Sequence, residues 1–382
     1  MKTFDTIILG AGASGVMCAL NSYNKNIAII DKNNKLGKKL AVTGNGRCNL
    51  TNLNTSSIYY NANIDKYLKR FDVEATLAFF KSIGLLTYND NEGRVYPLSN
   101  SAKSVIDVIG NAINKKNISI FLEHEIMSIT YKGKKFYIET NKENFECEKL
   151  VVATGGNSLN EFLDLYKIKH REIHPSLCAL KTTSTRNLEN VRISDVEITL
   201  ENGSDKKIER GEILFKDSGI SGISIFNLST LLARKGDYLG KLIIDLLPFL
   251  SENELYDLLV ARKNLNVKIS NFFDGLFVNQ IAYEILNRSK VDENRSSIKL
   301  SEKEIQSFVK IIKHLDFAIK GFYNNNQVYS GGVELDALTD DLECKNIENL
   351  YFCGEICDVD GECGGFNLQW AWTSGFIVGS KI

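Results

Sequence analysis

The stretch FDTIILGAGASGVMCALNSYNKNIAIID, residues 4–31, decides the fold. Ile7, Ile8 and Leu9 form a short apolar run, as a strand buried on both faces does. Gly10, Gly12 and Gly15 follow at G-x-G-x-x-G spacing, and Val16, Met17, Ala19 and Leu20 give an amphipathic helix. A second strand, 27–30, ends at Asp31, about 20 residues after Gly10. Each part has a physical role. Gly10 permits the tight turn, Gly12 lets a pyrophosphate approach the backbone, and Gly15 lets helix and strand pack closely. The helix N-terminus offers free N–H groups and partial positive charge to phosphates. Asp31 is the acceptor for an adenosine ribose. A dinucleotide site at the start of the chain is the reading.

A chain of 382 residues predicts two or three domains. With 43% hydrophobic and 24% charged residues it is an ordinary globular composition, and a net charge of −1 carries no basic footprint for nucleic acid. No nucleic-acid partner and no membrane are expected, and the charge leaves oligomeric state open. The apolar run 239–250 is broken by Lys241 and Asp245, well short of a membrane span. Without a signal peptide, the eight cysteines read as reduced thiols and the protein as cytoplasmic.

Residues 32–52, KNNKLGKKLAVTGNGRCNLTN, read as a functional loop rich in Gly, Asn and Lys. A helix is predicted over 73–83 and another over 101–113, with a small strand meander over 118–140. LVVA, 150–153, is a second apolar strand that runs into Thr154, Gly155 and Gly156. From about 186 the alternation predicts an antiparallel β domain. Helical periodicity takes over at 251, where Ser251 with Glu254 and Ser301 with Glu304 fit capping boxes. Strand-like sequence returns over 317–332. The C-terminal NLYFCGEICDVDGECGGFNLQWAWTSGFIVGS, 349–380, is a second strand–Gly–helix unit, with Glu355 at a strand end and a helix from about Leu368.

Together these stretches resemble the bacterial HI0933-like, aminoacetone-oxidase-like (BaiN-like) FAD-binding flavoproteins, within the glutathione-reductase type. The matching segments are GAGASG (10–15), GKKLAVTGNGRCNLTN (37–52), GRVYPLS (93–99), VVATGG (151–156), GEILFKDSGISG (211–222), SGGVEL (330–335) and LYFCGEICDVDGECGGFNLQWAWTSG (350–375). The resemblance implies an α/β fold: a Rossmann-like FAD-binding domain (1–185 and 332–382), an inserted antiparallel β-barrel domain (186–250 and 316–331) and a small helical insert within that (251–315). It implies FAD as cofactor. Gly10, Gly12, Ala13, Ser14 and Gly15 would hold the pyrophosphate, and Asp31 with Lys32 the adenosine end. Lys39 and the loop Thr43, Gly44, Asn45, Gly46, Arg47, Cys48 and Asn49 would run towards the flavin. Ala153, Thr154, Gly155 and Gly156 would lie beside the adenosine half. Gly354 and Glu355 would meet the ribityl or pyrophosphate portion, and Gly364, Gly365, Phe366, Asn367 and Leu368 the flavin's pyrimidine edge. One segment departs from the family pattern F-T-H-x-G-x-S-G-P: Lys216, Asp217 and Ile223 stand where Thr, His and Pro are usual.

The expected activity is hydride transfer at flavin N5 with a small organic substrate, by amine oxidation or by reduction of an enone-type double bond. The alternative is a flavoprotein with an RNA-modifying or regulatory role. Arg47, Cys48 and Tyr96 are the candidate catalytic side chains. Arg47 would meet an anionic group or the pyrophosphate, Cys48 would be a redox partner, and Tyr96 would face the substrate. No second G-x-G-x-x-G appears, so either NAD(P)H would bind transiently over the flavin, or the flavin's partner would be oxygen or another oxidant. Cys353, Cys357 and Cys363 fit no zinc spacing, and no metal is expected.

Overall fold

The computed structural model describes residues 1–156, 159–324 and 327–382. The chain forms two compact units, Met1–His174 with Gln327–Ile382, and Pro175–Asn326.

The first unit is built on a seven-stranded sheet. The strand Lys2–Leu9 lies at its centre, paired in parallel with Ile27–Ile30 on one side and Asn144–Val152 on the other. Burial on both faces explains the unbroken apolar runs: Ile7, Ile8, Leu9, Ile29, Ile30 and Val151 are sealed from solvent. Asn144–Val152 is shared along its length. Its first half pairs antiparallel with Lys135–Thr140, and its second half pairs parallel with Leu350–Phe352. The C-terminal segment therefore returns to the middle of the sheet. Ser119–Phe121 departs from the expected meander. It pairs in parallel with Ile27–Ile30 as an edge strand, because the helix Ala102–Lys115 supplies a crossover on the way to it. The strands Ile126–Lys132 and Lys135–Thr140 do form a hairpin.

Two helices converge at the centre. Ala13–Asn21 follows the first strand, and Phe366–Gly379 packs against it. Close approach is possible because Gly375 and Gly379 face that helix. A Cβ at either would come within 2.4 Å of the carbonyl oxygen of Ser14 or Cys18. Trp370 and Trp372 are buried packing residues whose indole N–H groups donate to the carbonyls of Gly354 and Leu50 at 3.0 and 2.8 Å.

The second unit contains a closed six-stranded barrel, in the order Leu180–Thr182, Gly219–Ser221, Asp205–Lys216, Arg192–Asn202, Gly240–Asp245, Leu315–Phe322. Alternation sends Val196, Ile198, Leu200, Ile213, Phe215, Leu242 and Ile244 inward. The barrel opens at Leu180, ahead of the expected boundary at 186, since Leu180–Thr182 closes the ring against Leu315–Phe322. Val328–Val333 instead pairs with His170–Ser176. The helix Ile223–Lys235 was not anticipated: the GISGIS run hides its start, and Gly222 precedes it with φ of 126°. Helices Glu252–Lys263, Asn279–Ser289 and Glu302–Lys313 follow, the first and last opened by capping boxes at Ser251 and Ser301.

Candidate functional site

The three glycines of the opening motif do different work. Gly10 has φ of 115°, and a Cβ there would lie 2.3 Å from the carbonyl oxygen of Ala153. Gly15 faces the carbonyl oxygen of Gly10, which a Cβ would meet at 2.0 Å. Both are demanded by the protein's own packing. Gly12 is not. Its backbone is extended, and a Cβ would meet nothing within 4 Å. Gly12 caps the helix Ala13–Asn21 with no side-chain hydrogen bond, so no capping side chain takes up the first helical N–H groups. Such an end suits an anion.

Asp31 is tied to this turn. Its Oδ2 accepts the Ala11 N–H at 2.7 Å, and its Oδ1 accepts the backbone and side-chain N–H groups of Asn33 at 2.7 and 2.9 Å. A carboxylate has about four acceptor sites, so capacity for a hydroxyl remains. Lys32 is exposed and lines a polar cleft of about 480 Å³ with Asn33, Lys38 and Glu123. Ser14 is buried, and its hydroxyl donates to the Cys353 carbonyl at 3.2 Å. Gly354 has no side chain because Ser14 Oγ would lie 2.3 Å from it.

Glu355 spends both oxygens on the chain. Oε1 accepts the Tyr329 N–H at 2.8 Å, while Oε2 accepts the Gly156 N–H at 3.2 Å and pairs with Lys39 Nζ at 2.6 Å. Lys39 Nζ also lies over the Tyr329 ring, 5.3 Å from its centroid. Gly156 is small because a Cβ would strike the Tyr329 side chain, at 2.3 Å from its Cβ and 2.6 Å from its ring. Thr154 Oγ1 is buried and has no hydrogen-bond partner among the described residues.

The 43–49 loop is held in a left-handed course, with positive φ at Gly44, Asn45, Gly46 and Cys48. Thr43 anchors it, its hydroxyl donating to the Leu40 carbonyl and its own carbonyl accepting the Cys48 N–H at 3.0 Å. Arg47 is exposed, and its guanidinium stacks 4.5 Å from the centroid of the buried Tyr96 ring. Burial pushes the Tyr96 hydroxyl upward, against the opposing charges of Arg94 and Arg47. Cys48 is fully buried, and burial pushes its thiol up to about 11. A neutral, sealed thiol is a poor nucleophile. Asn49 Oδ1 is buried without a partner among the described residues.

At the second helix, Gly364 and Gly365 have φ of 143° and 105°, and a Cβ on Gly365 would press on Asn49 Oδ1 at 2.9 Å. The helix start at Phe366 carries no side-chain cap. Phe366 stacks on Tyr59 at 4.4 Å and accepts the Tyr60 hydroxyl at its carbonyl. Asn367 is committed to the Gly361 turn, which it binds through both amide atoms. Leu368 is half-buried. Sequence reasoning did not find Gln369. It is fully buried, accepting from Thr51 Oγ1 at 2.6 Å and donating to Thr76 and Thr373 at 2.9 and 3.0 Å. A glutamine among apolar residues on a helix was the available signal.

The first unit thus holds the uncapped helix starts at Ala13 and Phe366, a Gly12 position where a Cβ would meet no protein atom within 4 Å, and, among the described residues, the buried and unpartnered Asn49 Oδ1 and Thr154 Oγ1. This cradle fits an extended dinucleotide carrying a pyrophosphate. Among the described residues no group of His, Cys, Asp and Glu side chains is arranged to hold a metal ion, and no helix is long and apolar enough to cross a membrane.

Comparison with known proteins agrees in fold. The model of the HI0933-like protein Rossmann domain matches residues 4–381. A 3-dehydro-bile acid delta(4,6)-reductase of Clostridium scindens is 29% identical, covering 97% of both chains. A ribosomal RNA dihydrouridine synthase of Escherichia coli is 27% identical over 100% of this chain and 98% of that protein. The structure of 3-ketosteroid delta1-dehydrogenase from Sterolibacterium denitrificans superposes with a TM-score of 0.50 at 11% identity, covering 100% of this chain and 99% of that one.

Proposed function

The chain belongs to the HI0933-like family and is an FAD-dependent redox enzyme, and we propose that it reduces a carbon–carbon double bond conjugated to a carbonyl group. One observation carries this reading. Two relatives matched over nearly their whole lengths are named for unlike substrates, a bile acid and a uridine, yet both names describe saturation of such a bond. FAD, when bound, supplies hydride transfer at its N5. The product gains a hydride at the β-carbon and a proton at the α-carbon. NAD(P)H, bound transiently, is the proposed electron donor.

Within this proposal the chain's residues divide the work. Gly10, Gly12, Ala13 and Gly15 with the helix start take the pyrophosphate, and Asp31 takes the adenosine ribose. Asn49 Oδ1 and Thr154 Oγ1 are buried polar atoms available to the same cofactor. With FAD bound, the helix start at Phe366 would favour negative charge placed beside it, by about 1 kcal/mol. Glu355 acts indirectly, by fixing Lys39, Gly156 and Tyr329 around the cradle. Arg47, aimed by its stacking on Tyr96, takes an anionic or carbonyl oxygen of the substrate. Cys48 holds the loop rather than carrying electrons, since its thiol is buried and protonated.

The test is anaerobic incubation with NADH or NADPH and either a 3-oxo-4-ene steroid or uridine-containing RNA. The expected product is heavier by two hydrogen atoms. Peroxide release from an amine, with neither acceptor saturated, would replace this reading with an oxidase.

A further inference from the structure

On the barrel of the second unit, three outward positions fall in one row. Gly219 is the cross-strand partner of Lys181 on one side and of Lys216 on the other. The next positions, Leu180, Ile220 and Phe215, are sealed inside the barrel, which fixes the row as outward. The Tyr323 ring lies over Gly219, where a Cβ would come 2.8 Å from Tyr323 Cε2. The ammonium groups of Lys181 and Lys216 lie 5.6 and 5.3 Å from that ring's centroid. Glycine therefore seats an aromatic ring between two lysines.

Some lysines of the barrel unit are neutralised by acids, as Lys241 is by Asp316 and Lys313 by Asp245. Neither Lys181 nor Lys216 has an ion pair among the described residues. The carboxylate of adjacent Asp217 instead accepts the Ser218 hydroxyl at 2.9 Å.

We propose that Lys181, Tyr323 and Lys216 form a binding site for the phosphates of a single-stranded RNA. Paired cations beside an aromatic ring suit a strand that alternates phosphates with planar bases. With a net charge of −1, the molecule has no general attraction for polyanions, so local cations must supply it. The proposal rests on the double-bond reduction above, with a uridine of RNA as its substrate.

The experiment measures anisotropy of a labelled single-stranded oligouridylate on the FAD-loaded enzyme, from about 50 to about 200 mM salt. The double variant Lys181→Gln with Lys216→Gln is expected to bind roughly tenfold more weakly, with its log–log salt slope reduced by about 1.4. The double Arg variant keeps both affinity and slope. A flavin spectrum identical to wild type in each variant establishes that folding is intact. Unchanged affinity and slope in the double Gln variant would overturn the site. Equal displacement by uridine monophosphate at the same phosphate concentration would overturn the strand as its occupant. Binding is read without turnover, so a charge-dependent loss sustains the site even if no double bond is reduced.

Discussion

Lys39 Nζ lies 2.6 Å from Glu355 Oε2, joining the loop after the first nucleotide-binding turn to the end of a strand 316 residues later. The same carboxylate accepts backbone N–H groups from Gly156 and Tyr329. One side chain therefore gathers three segments around the cradle. Glu355→Ala leaves two N–H groups without their acceptor, at about 1–3 kcal/mol each where water does not replace it. Flavin-fluorescence titration is expected to show FAD affinity reduced at least tenfold with the secondary structure unchanged. Lys39→Met, losing a half-exposed ion pair and a contact with the Tyr329 ring, changes affinity far less. Equal effects from the two variants would show that the ion pair, rather than the backbone bonds, holds the cradle.

Gly12 and Gly10 separate cofactor binding from folding. Gly12→Val meets no protein atom and is expected to fold with wild-type Tm, yet to purify without flavin. Gly10→Val strikes the Ala153 carbonyl and forces a strained backbone, so it is expected to lower Tm or prevent folding. Full flavin content in Gly12→Val would remove the pyrophosphate from this turn.

The opening motif was legible because its constraints are local: a strand, a turn that demands positive φ at Gly10, and a helix within a few residues. The capping boxes at Ser251 and Ser301 were legible for the same reason. What escaped depends on distant partners. The bond from the Ser14 hydroxyl to the Cys353 carbonyl joins residues 339 apart. The Glu355 bonds to the backbone of Gly156 and Tyr329 likewise join segments far apart in sequence. Ser119–Phe121 has the length of a meander strand, and only its parallel partner Ile27–Ile30 makes it an edge of the main sheet. The helix Ile223–Lys235 is masked by the glycines before it, which mark a turn and a helix start alike.

Cys48 supplies a pH-dependent prediction. Its thiol is raised from about 9 to about 11 in the folded chain, so the folded state holds the proton more tightly than the unfolded state. The associated stability is complete below about pH 9 and is lost as pH rises towards about 11. Cys48→Ala should weaken this alkaline loss, measured by denaturant unfolding at stepped pH. Alkylation of Cys48 in the native protein should be slow at pH 8, and Cys48→Ser should keep reductase turnover. Rapid native alkylation would return Cys48 to the reactive thiols.

Gln369 joins three threonines inside the first unit. Gln369→Leu removes the amide and strands the Thr51 hydroxyl, at about 1–3 kcal/mol, while Thr76 and Thr373 keep their bonds to the Asp72 and Phe71 carbonyls. Thermal unfolding should report the loss. A Tm equal to wild type would mean that the network adds nothing beyond packing.

The most direct measurement is an anaerobic absorbance titration of the purified protein. The oxidised flavin band near ~450 nm is expected to bleach on adding NADH or NADPH and to return when a conjugated enone or uridine-containing RNA is added in the absence of oxygen. A band that bleaches and recovers only with oxygen would contradict double-bond reduction. A colourless protein that does not take up FAD would contradict the cradle itself.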